Sequence, residues 1–504
     1  MRTSPISVYV PLVALVVAAI LSCVAQPFWP QFRGPNGQGV SSDGRPPVTF
    51  GPATNQLWRA PVEPGHSSPV IFGDRLFLTT FQTGVLSVVS FDRRDGRRQW
   101  QWTVPAGPIG DVHTASSPAA PSPAAAVDRV FAYFGSWGLV ALTHEGREVW
   151  RRPMDPPKNR YGVATSPVLH GSNVLLVIDA DDLKSSVLAL NAEDGRVVWQ
   201  AERPGQRATW STPAIVATER SGRSADELIV LSALRLSSYD PVDGRFLWSI
   251  DGFPQETVSV PAVGNGRVFA GAAALGGRGN EQYDAMGWKQ LVVFDRNADG
   301  LIQLAEVPED FRMVLRPDLP KDHPGYAVPF AFRRDFKNRD ADHDGALSEA
   351  EWLKSVTQWE ASSRPILMAV QPGDLPEGRT NRSLWKTARG LPEMPSILFH
   401  EGRLFFVRDG GLLSCVDPDD GRLIYQERVG AAGQYCASPV AVPGRVYLSS
   451  VGGTITVVDS TADELRVLAR NELNEPIHAT PAIARDALYV RTASHLFSFS
   501  TTAP

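Results

Sequence analysis

Short apolar runs bounded by turn residues recur along most of the chain and keep register with one another. The clearest phrase is an acidic residue, Gly and Arg, then two mostly apolar or neutral residues, then an aromatic. It reads Asp95-Gly96-Arg97 to Trp100, Glu145-Gly146-Arg147 to Trp150, Asp194-Gly195-Arg196 to Trp199, Asp243-Gly244-Arg245 to Trp248 and Asp420-Gly421-Arg422 to Tyr425. The aromatic falls four residues after the Gly each time, and the first four copies repeat every 49 or 50 residues. Asp-Gly accepts the positive φ angles of a tight turn between two strands. The preceding strand is apolar, as in Val187-Leu188-Ala189-Leu190, and the following one ends on a ring that packs between neighbouring sheets.

A second phrase runs in phase with the first: Ser or Thr, then Pro, then small apolar residues. It stands at Ser68-Pro69, Ser117-Pro118, Ser166-Pro167, Thr212-Pro213, Ser438-Pro439 and Thr480-Pro481, with variants at Val260-Pro261 and Met394-Pro395. Each leads into a strand such as Arg75-Leu76-Phe77-Leu78, Arg267-Val268-Phe269-Ala270 or Arg445-Val446-Tyr447-Leu448. Proline suits the first residue of a strand, where no ladder donor is required. One unit is thus four short strands in 42 to 50 residues, which is a propeller blade. Eight Pro phrases predict an all-β, eight-bladed β-propeller. The last unit, His478 to Phe499, holds three strands, and Gln56-Leu57-Trp58-Arg59 is expected to supply the fourth. Such a closure removes an exposed sheet edge and ties both chain ends down.

These phrases resemble the pyrroloquinoline-quinone (PQQ)-like β-propeller repeat family, whose blades carry the Asp-Gly-x-x-x-Trp docking phrase. The resemblance runs from Trp29 to Phe499 apart from one insertion, and Trp29-Pro30-Gln31-Phe32-Arg33-Gly34-Pro35 is similar to the start of secreted propellers of this type. It implies two functional branches. Quinoprotein alcohol dehydrogenases share the eight-bladed plan and carry PQQ with calcium on the axis. Their adjacent Cys pair, haem domain, axial calcium ligands and catalytic Asp have no counterpart in this sequence, so PQQ has no identifiable ligands here. The propeller lipoprotein of the outer-membrane β-barrel assembly machinery has the same repeats, no quinone and a protein-binding role. The missing catalytic residues favour a non-enzymatic scaffold with a protein or polymer ligand on one propeller face. A quinone-dependent alcohol or sugar dehydrogenase is the alternative.

The step from Pro261 to Pro395 is 134 residues where the others are 42 to 49, so blade five contains an insertion. Two 12-residue loops lie inside it. One carries Asp295, Asn297, Asp299, Gly300, Ile302 and Glu306; the other carries Asp340, Asp342, Asp344, Gly345, Leu347 and Glu351. Both match the EF-hand loop at positions 1, 3, 5, 6, 8 and 12. Calcium is a hard cation that takes six to eight oxygens, from the carboxylates, from the position-7 carbonyls of Leu301 and Ala346, and from a bidentate final Glu. Gly at position 6 permits the sharp bend. Two calcium ions are expected, bound more tightly by the second loop with its four carboxylates. Ile302 and Leu347 are expected to pair the loops. Helices are expected over Tyr326–Lys337 and Ser348–Trp359, the latter with Trp352, Val356 and Trp359 on one apolar face.

Composition narrows the rest. A net charge of −5, with no Lys/Arg-rich run, excludes a nucleic-acid partner by electrostatics. Arg2, the apolar run Val8–Leu21 and the small residues Cys23-Val24-Ala25 form an export signal cleaved after Ala25. Ile20-Leu21-Ser22-Cys23 also fits a lipobox, which would leave Cys23 as a lipid anchor. The expected location is periplasmic or secreted, with an outer-membrane lipoprotein as the alternative and no membrane span after cleavage. Cys415 and Cys436 then remain, read as two small buried residues rather than a disulfide, and no Cys-x-x-Cys-His for covalent haem occurs. The expected organisation is a signal at 1–25, propeller at 26–290, EF-hand pair at 291–360 and propeller again at 361–504. The lead-in loops gather His66, His113, Arg160, Tyr161, Arg207, Trp210, Glu256, Glu393, Tyr435 and His478 at one end of the axis. Of these, the His66 and His478 pair could bind a metal or serve as acid and base, or simply line a polar channel.

Overall fold

The computed structural model describes residues 28–109, 112, 116–159, 161–273, 283–314, 321, 327–329, 336, 339–354, 364–376 and 378–502. The segment expected to be an export signal, with Cys23, lies outside these, as do His113 and Arg160. Among the described residues eight antiparallel blade sheets follow one another along the chain, seven of four strands and the first of five. Their inner strands are Val70–Phe72, Ala124–Ala125, Val168–His170, Ala214–Arg220, Ala262–Gly264, Leu398–His400, Val440–Val442 and Ala482–Ala484. The eighth sheet borrows Gln56–Pro61, paired with His495–Phe499 from Gln56↔Phe499 to Pro61↔His495. The eight-bladed propeller and its closing strand are therefore as expected.

The aromatic of one blade docks on the hairpin of the next. A Cβ on Gly96 would come within 2.5 Å of the Trp58 ring, and Gly96 itself has φ +71°. Both facts demand glycine there. Trp100, Trp150, Trp199 and Trp385 sit likewise on Gly146, Gly195, Gly244 and Gly421. Each indole N–H donates to a carbonyl of the turn it covers, as Trp58 Nε1 does to Arg93 O at 2.9 Å and Trp150 Nε1 to Ala192 O at 3.0 Å. Blade five lacks the Asp-Gly turn, and there Trp248 Nε1 donates to the buried Glu227 carboxylate at 2.8 Å. The other oxygen of Glu227 accepts from Gly373 N at 3.0 Å.

A hydroxyl belt joins the blades nearer the axis. Ser68 N donates to Ser122 Oγ, Ser122 N to Ser166 Oγ and Ser166 N to Thr212 Oγ1. Val260 N donates to Ser396 Oγ, Ser396 N to Ser438 Oγ, Ser438 N to Thr480 Oγ1, and Thr480 N back to Ser68 Oγ. Val260 has no hydroxyl, so the belt is broken between blades four and five, where Ser211 Oγ donates to Ser259 O instead. The belt corrects two positions. Blade two begins at Ser122-Pro123, not Ser117-Pro118, and blade six takes its register from Ser396-Ile397, two residues after Met394-Pro395. The hydroxyl two residues before the strand sets the phase, and proline merely accompanies it.

Residues 28–45 plug the axis. Phe28 and Trp29 add a strand to the inner edge of blade one, opposite Phe72 and Ile71. Ala125 N donates to Pro30 O, Leu169 N to Gln31 Oε1, Val263 N to Gln38 Oε1 and Ala441 N to Gly39 O. Pro35–Gly37 lies against the inner strand of blade four, Arg33 reaches Ile397 O, and Arg45 N donates to Arg485 O in blade eight. One segment thus touches all eight blades and feeds acceptors to inward amides that would otherwise be orphaned.

Candidate metal centre

The insertion leaves blade five after Arg267–Ala272 and returns at Ile366–Val370, and these two strands pair directly, from Val268↔Val370 to Ala272↔Ile366. It is therefore an extended connection between second and third strands. Strands alternate in direction, so this connection emerges on the same face as the loops leading into the inner strands. Topology alone puts the insertion on the face that carries His66, Trp210 and His478.

Inside it, a small core of its own gathers Trp288, Leu291, Ile302, Val307, Met313, Phe336, Leu347 and Trp352. Helix Tyr283–Leu291 belongs to this core, so the module begins ahead of residue 291. Ile302 pairs with Leu347 across the two loops, both fully buried, as their spacing leads one to expect. Residues 349–354 are helical and bury Trp352, with Arg339 over its ring at 4.7 Å. Of the helix expected over Tyr326–Lys337, Ala327–Pro329 is instead a strand paired with Arg312–Val314, and most of the remainder lies outside the described residues. Val356 and Trp359 also lie outside them.

The two loops have the same conformation. Gly300 and Gly345 take φ +80° and +87°, and the fourth loop positions, Ala298 and His343, are left-handed at +58° and +60°. In the first loop Asp295 Oδ2 accepts from Gly300 N at 2.9 Å and Asp299 Oδ1 from Leu301 N at 2.8 Å. Asn297 Oδ1 accepts from Asp299 N, and Glu306 accepts from Arg296 N and Gln303 N. In the second, Asp340 accepts from Asp344 N and Gly345 N, Asp342 Oδ1 from Asp344 N, and Asp344 Oδ1 from Ala346 N. Glu351 accepts from Ala341 N at 2.8 Å and Ser348 N at 3.0 Å. These backbone donors hold the carboxyls of Asp299 and Glu351 below the ordinary carboxylate range, so both stay ionised at neutral pH. Asp295 Oδ1 is buried with no hydrogen-bond donor. In the second loop single oxygens of Asp340, Asp342 and Glu351 lie within 4.8 Å of one another. Among the described residues this is the one convergence of three ligating side chains.

The axis offers a different chemistry. His66 and His478 stack with ring centroids 4.4 Å apart and planes 1° from parallel. Their lone pairs lie in two parallel planes and do not converge on one ion. Burial lowers the His478 pKa below 6.5 and keeps its ring neutral. Tyr161 packs on Trp210 at 5.3 Å, while Tyr435 is wholly buried and donates to Ala431 O at 2.8 Å, a core role. Arg207 is exposed. Glu256 and Glu393 are half-buried, and no third ligand joins the His pair among the described residues. Three of the repeated hairpin arginines pair with local acids at the rim: Arg196 with Asp194, Arg245 with Asp240 and Arg422 with Asp417. Cys415 and Cys436 are unbridged, and burial pushes the Cys415 thiol up to about 11.

Fold and docking pattern together define a PQQ-like β-propeller protein. Residues 51–177, 123–276 and 369–501 match the family described as outer membrane protein assembly factor BamB, and the chain belongs to that family. The BamB of Burkholderia pseudomallei is 27% identical over 238 residues, covering 44% of this chain and 57% of that protein. The chain thus spans little more than half the length of this curated relative. Crystal structures of BamB from Moraxella catarrhalis and of quinohemoprotein alcohol dehydrogenase from Comamonas testosteroni superpose with TM-scores of 0.51 and 0.50. Their identities are 10% and 12%; the first match covers 88% of this chain and 99% of that one, the second 94% and 80%. At such identity the likeness shows the fold. No helix of the described residues is long and apolar enough to cross a membrane.

Proposed function

We propose that this protein is a calcium-stabilised, non-enzymatic interaction scaffold of the cell envelope. Two calcium ions order the inserted module, through Asp295, Asn297, Asp299, Leu301 and Glu306 in one loop and Asp340, Asp342, Asp344, Ala346 and Glu351 in the other. The module then forms one wall of the propeller face that holds a protein ligand. The observation that carries this reading is the placement of two loops of matching conformation in the connection that opens onto that face. The family's printed role in outer membrane protein assembly supplies the setting, which favours a periplasmic or outer-membrane-attached protein with a protein partner. Calorimetric titration of the mature chain is expected to show two calcium sites, and its melting temperature is expected to rise with calcium. The double variant Glu306→Ala/Glu351→Ala loses both; an unchanged response in it overturns the site. The quinone reading is tested in parallel by titrating PQQ in saturating calcium while following Trp fluorescence. Stoichiometric quenching would replace the scaffold by an oxidoreductase.

A further inference from the structure

Among the described residues three arginines are fully buried: Arg33, Arg203 and Arg491. Two have both Nη nitrogens engaged and leave only Nε without an acceptor. Arg203 pairs with Asp179 and also donates to Ser232 Oγ. Arg491 donates to Ser67 O, Ser67 Oγ, Thr79 O and Glu63 O, and the Glu63 carboxylate acts on it from nearby. Arg33, on the axial plug, is different. Its Nη2 donates to Gln38 O at 3.2 Å and Ile397 O at 2.9 Å. Its Nε and Nη1 meet no acceptor. A guanidinium has five N–H donors, so with Nη2 spent the three on Nε and Nη1 are left over. No acidic side chain of the described residues pairs with Arg33, and burial alone lowers its pKa to about 9, which still leaves it charged at neutral pH.

An uncompensated charge in a protein interior is strongly unfavourable unless something pairs with it. We propose that Arg33 binds one small inorganic anion of the chloride class at the axis, beneath the plug. Charge and size select this class. A monovalent ion neutralises a single guanidinium, whereas a sulfate or phosphate dianion would leave buried negative charge. Arg33 has no exposed surface, so the guest must be compact. The plug then has a second purpose: it carries the cation that, with its counterion, ties the centre of the ring together.

The test uses the full mature chain with calcium held saturating. Crystals soaked in bromide are expected to show an anomalous peak within hydrogen-bonding distance of Arg33. Melting temperatures are compared in sodium chloride and sodium gluconate at equal ionic strength. Chloride is expected to raise the midpoint saturably in the natural protein and to leave Arg33→Met unmoved. Water alone at the guanidinium, or a bromide peak with no difference between the two salts, overturns the proposal. If Arg33→Met does not fold, the soak and the two salts on the natural protein decide.

Discussion

Thr480 and Ser68 are joined by a hydrogen bond of 3.0 Å from the Thr480 amide to the Ser68 hydroxyl, and this one contact closes a belt that passes through all but one of the blade junctions. Ser68→Ala leaves a buried amide without an acceptor, which costs roughly 1–3 kcal/mol. Equilibrium unfolding in urea should show that loss. Val260, by contrast, already lacks a hydroxyl, so Val260→Ser is not expected to disturb the other links. Equal stability of Ser68→Ala and the natural protein would mean that the belt contributes nothing to closure.

Gly244→Ala places a methyl 2.4 Å from the Trp199 ring at a backbone φ of +75°. Strain and collision act together, and a loss of at least about 2 kcal/mol is expected. Gly222→Ala, at a similar φ but with open space around its Cβ, isolates the backbone contribution. The difference between the two midpoints measures the docking contact itself.

The two loops should differ in calcium affinity. Asp340, Asp342 and Glu351 converge, and the second loop has four carboxylates to the first loop's three. Glu351→Gln is expected to remove the tighter step of a calorimetric titration, and Glu306→Gln the weaker one. The reverse assignment would mean that ligand charge does not set the order.

Acid should destabilise the ring before any carboxylate is protonated. Burial lowers the pKa of His144, His400 and His478 below their ordinary 6.5. The unfolded chain takes up protons below about 6.5 while the folded one resists, so stability is full above that pH and falls as pH drops through the window beneath it. The depressed carboxylates add to the loss only at lower pH. Melting temperature is expected to be lower at pH 5.5 than at 7.5, and His478→Gln should flatten part of that slope. A pH-independent midpoint over this range would contradict the burial of these rings.

The propeller was legible because its periodicity is local. Asp-Gly and the aromatic four residues later lie in one hairpin, so Trp100 and Gly146 could be read as a repeat before it was known that they touch. The paired loops were legible for the same reason, since twelve consecutive residues contain all the side chains involved. What the sequence concealed acts across distance. Ser122 and Ser396 look like ordinary serines until the strand two residues on is seen to start a blade. Glu227 replaces an absent turn only because Gly373 meets it from elsewhere in the chain. Arg33 sits in a phrase that marked a protein type, yet its guanidinium is held by Ile397 O, which lies in blade six far along the chain.

The borrowed strand Gln56–Pro61 also sets a timetable. It is made early, but its partner His495–Phe499 is synthesised only after the strands of the other seven blades. Its hydrogen-bonding edge and Trp58 must therefore wait unpaired while seven other blades form, and non-local pairing of this kind is slow and prone to wrong partners. A premature stop ahead of His495 would remove that partner strand and leave Gln56–Pro61 unpaired, giving an open ring with a bare edge on either side of the gap.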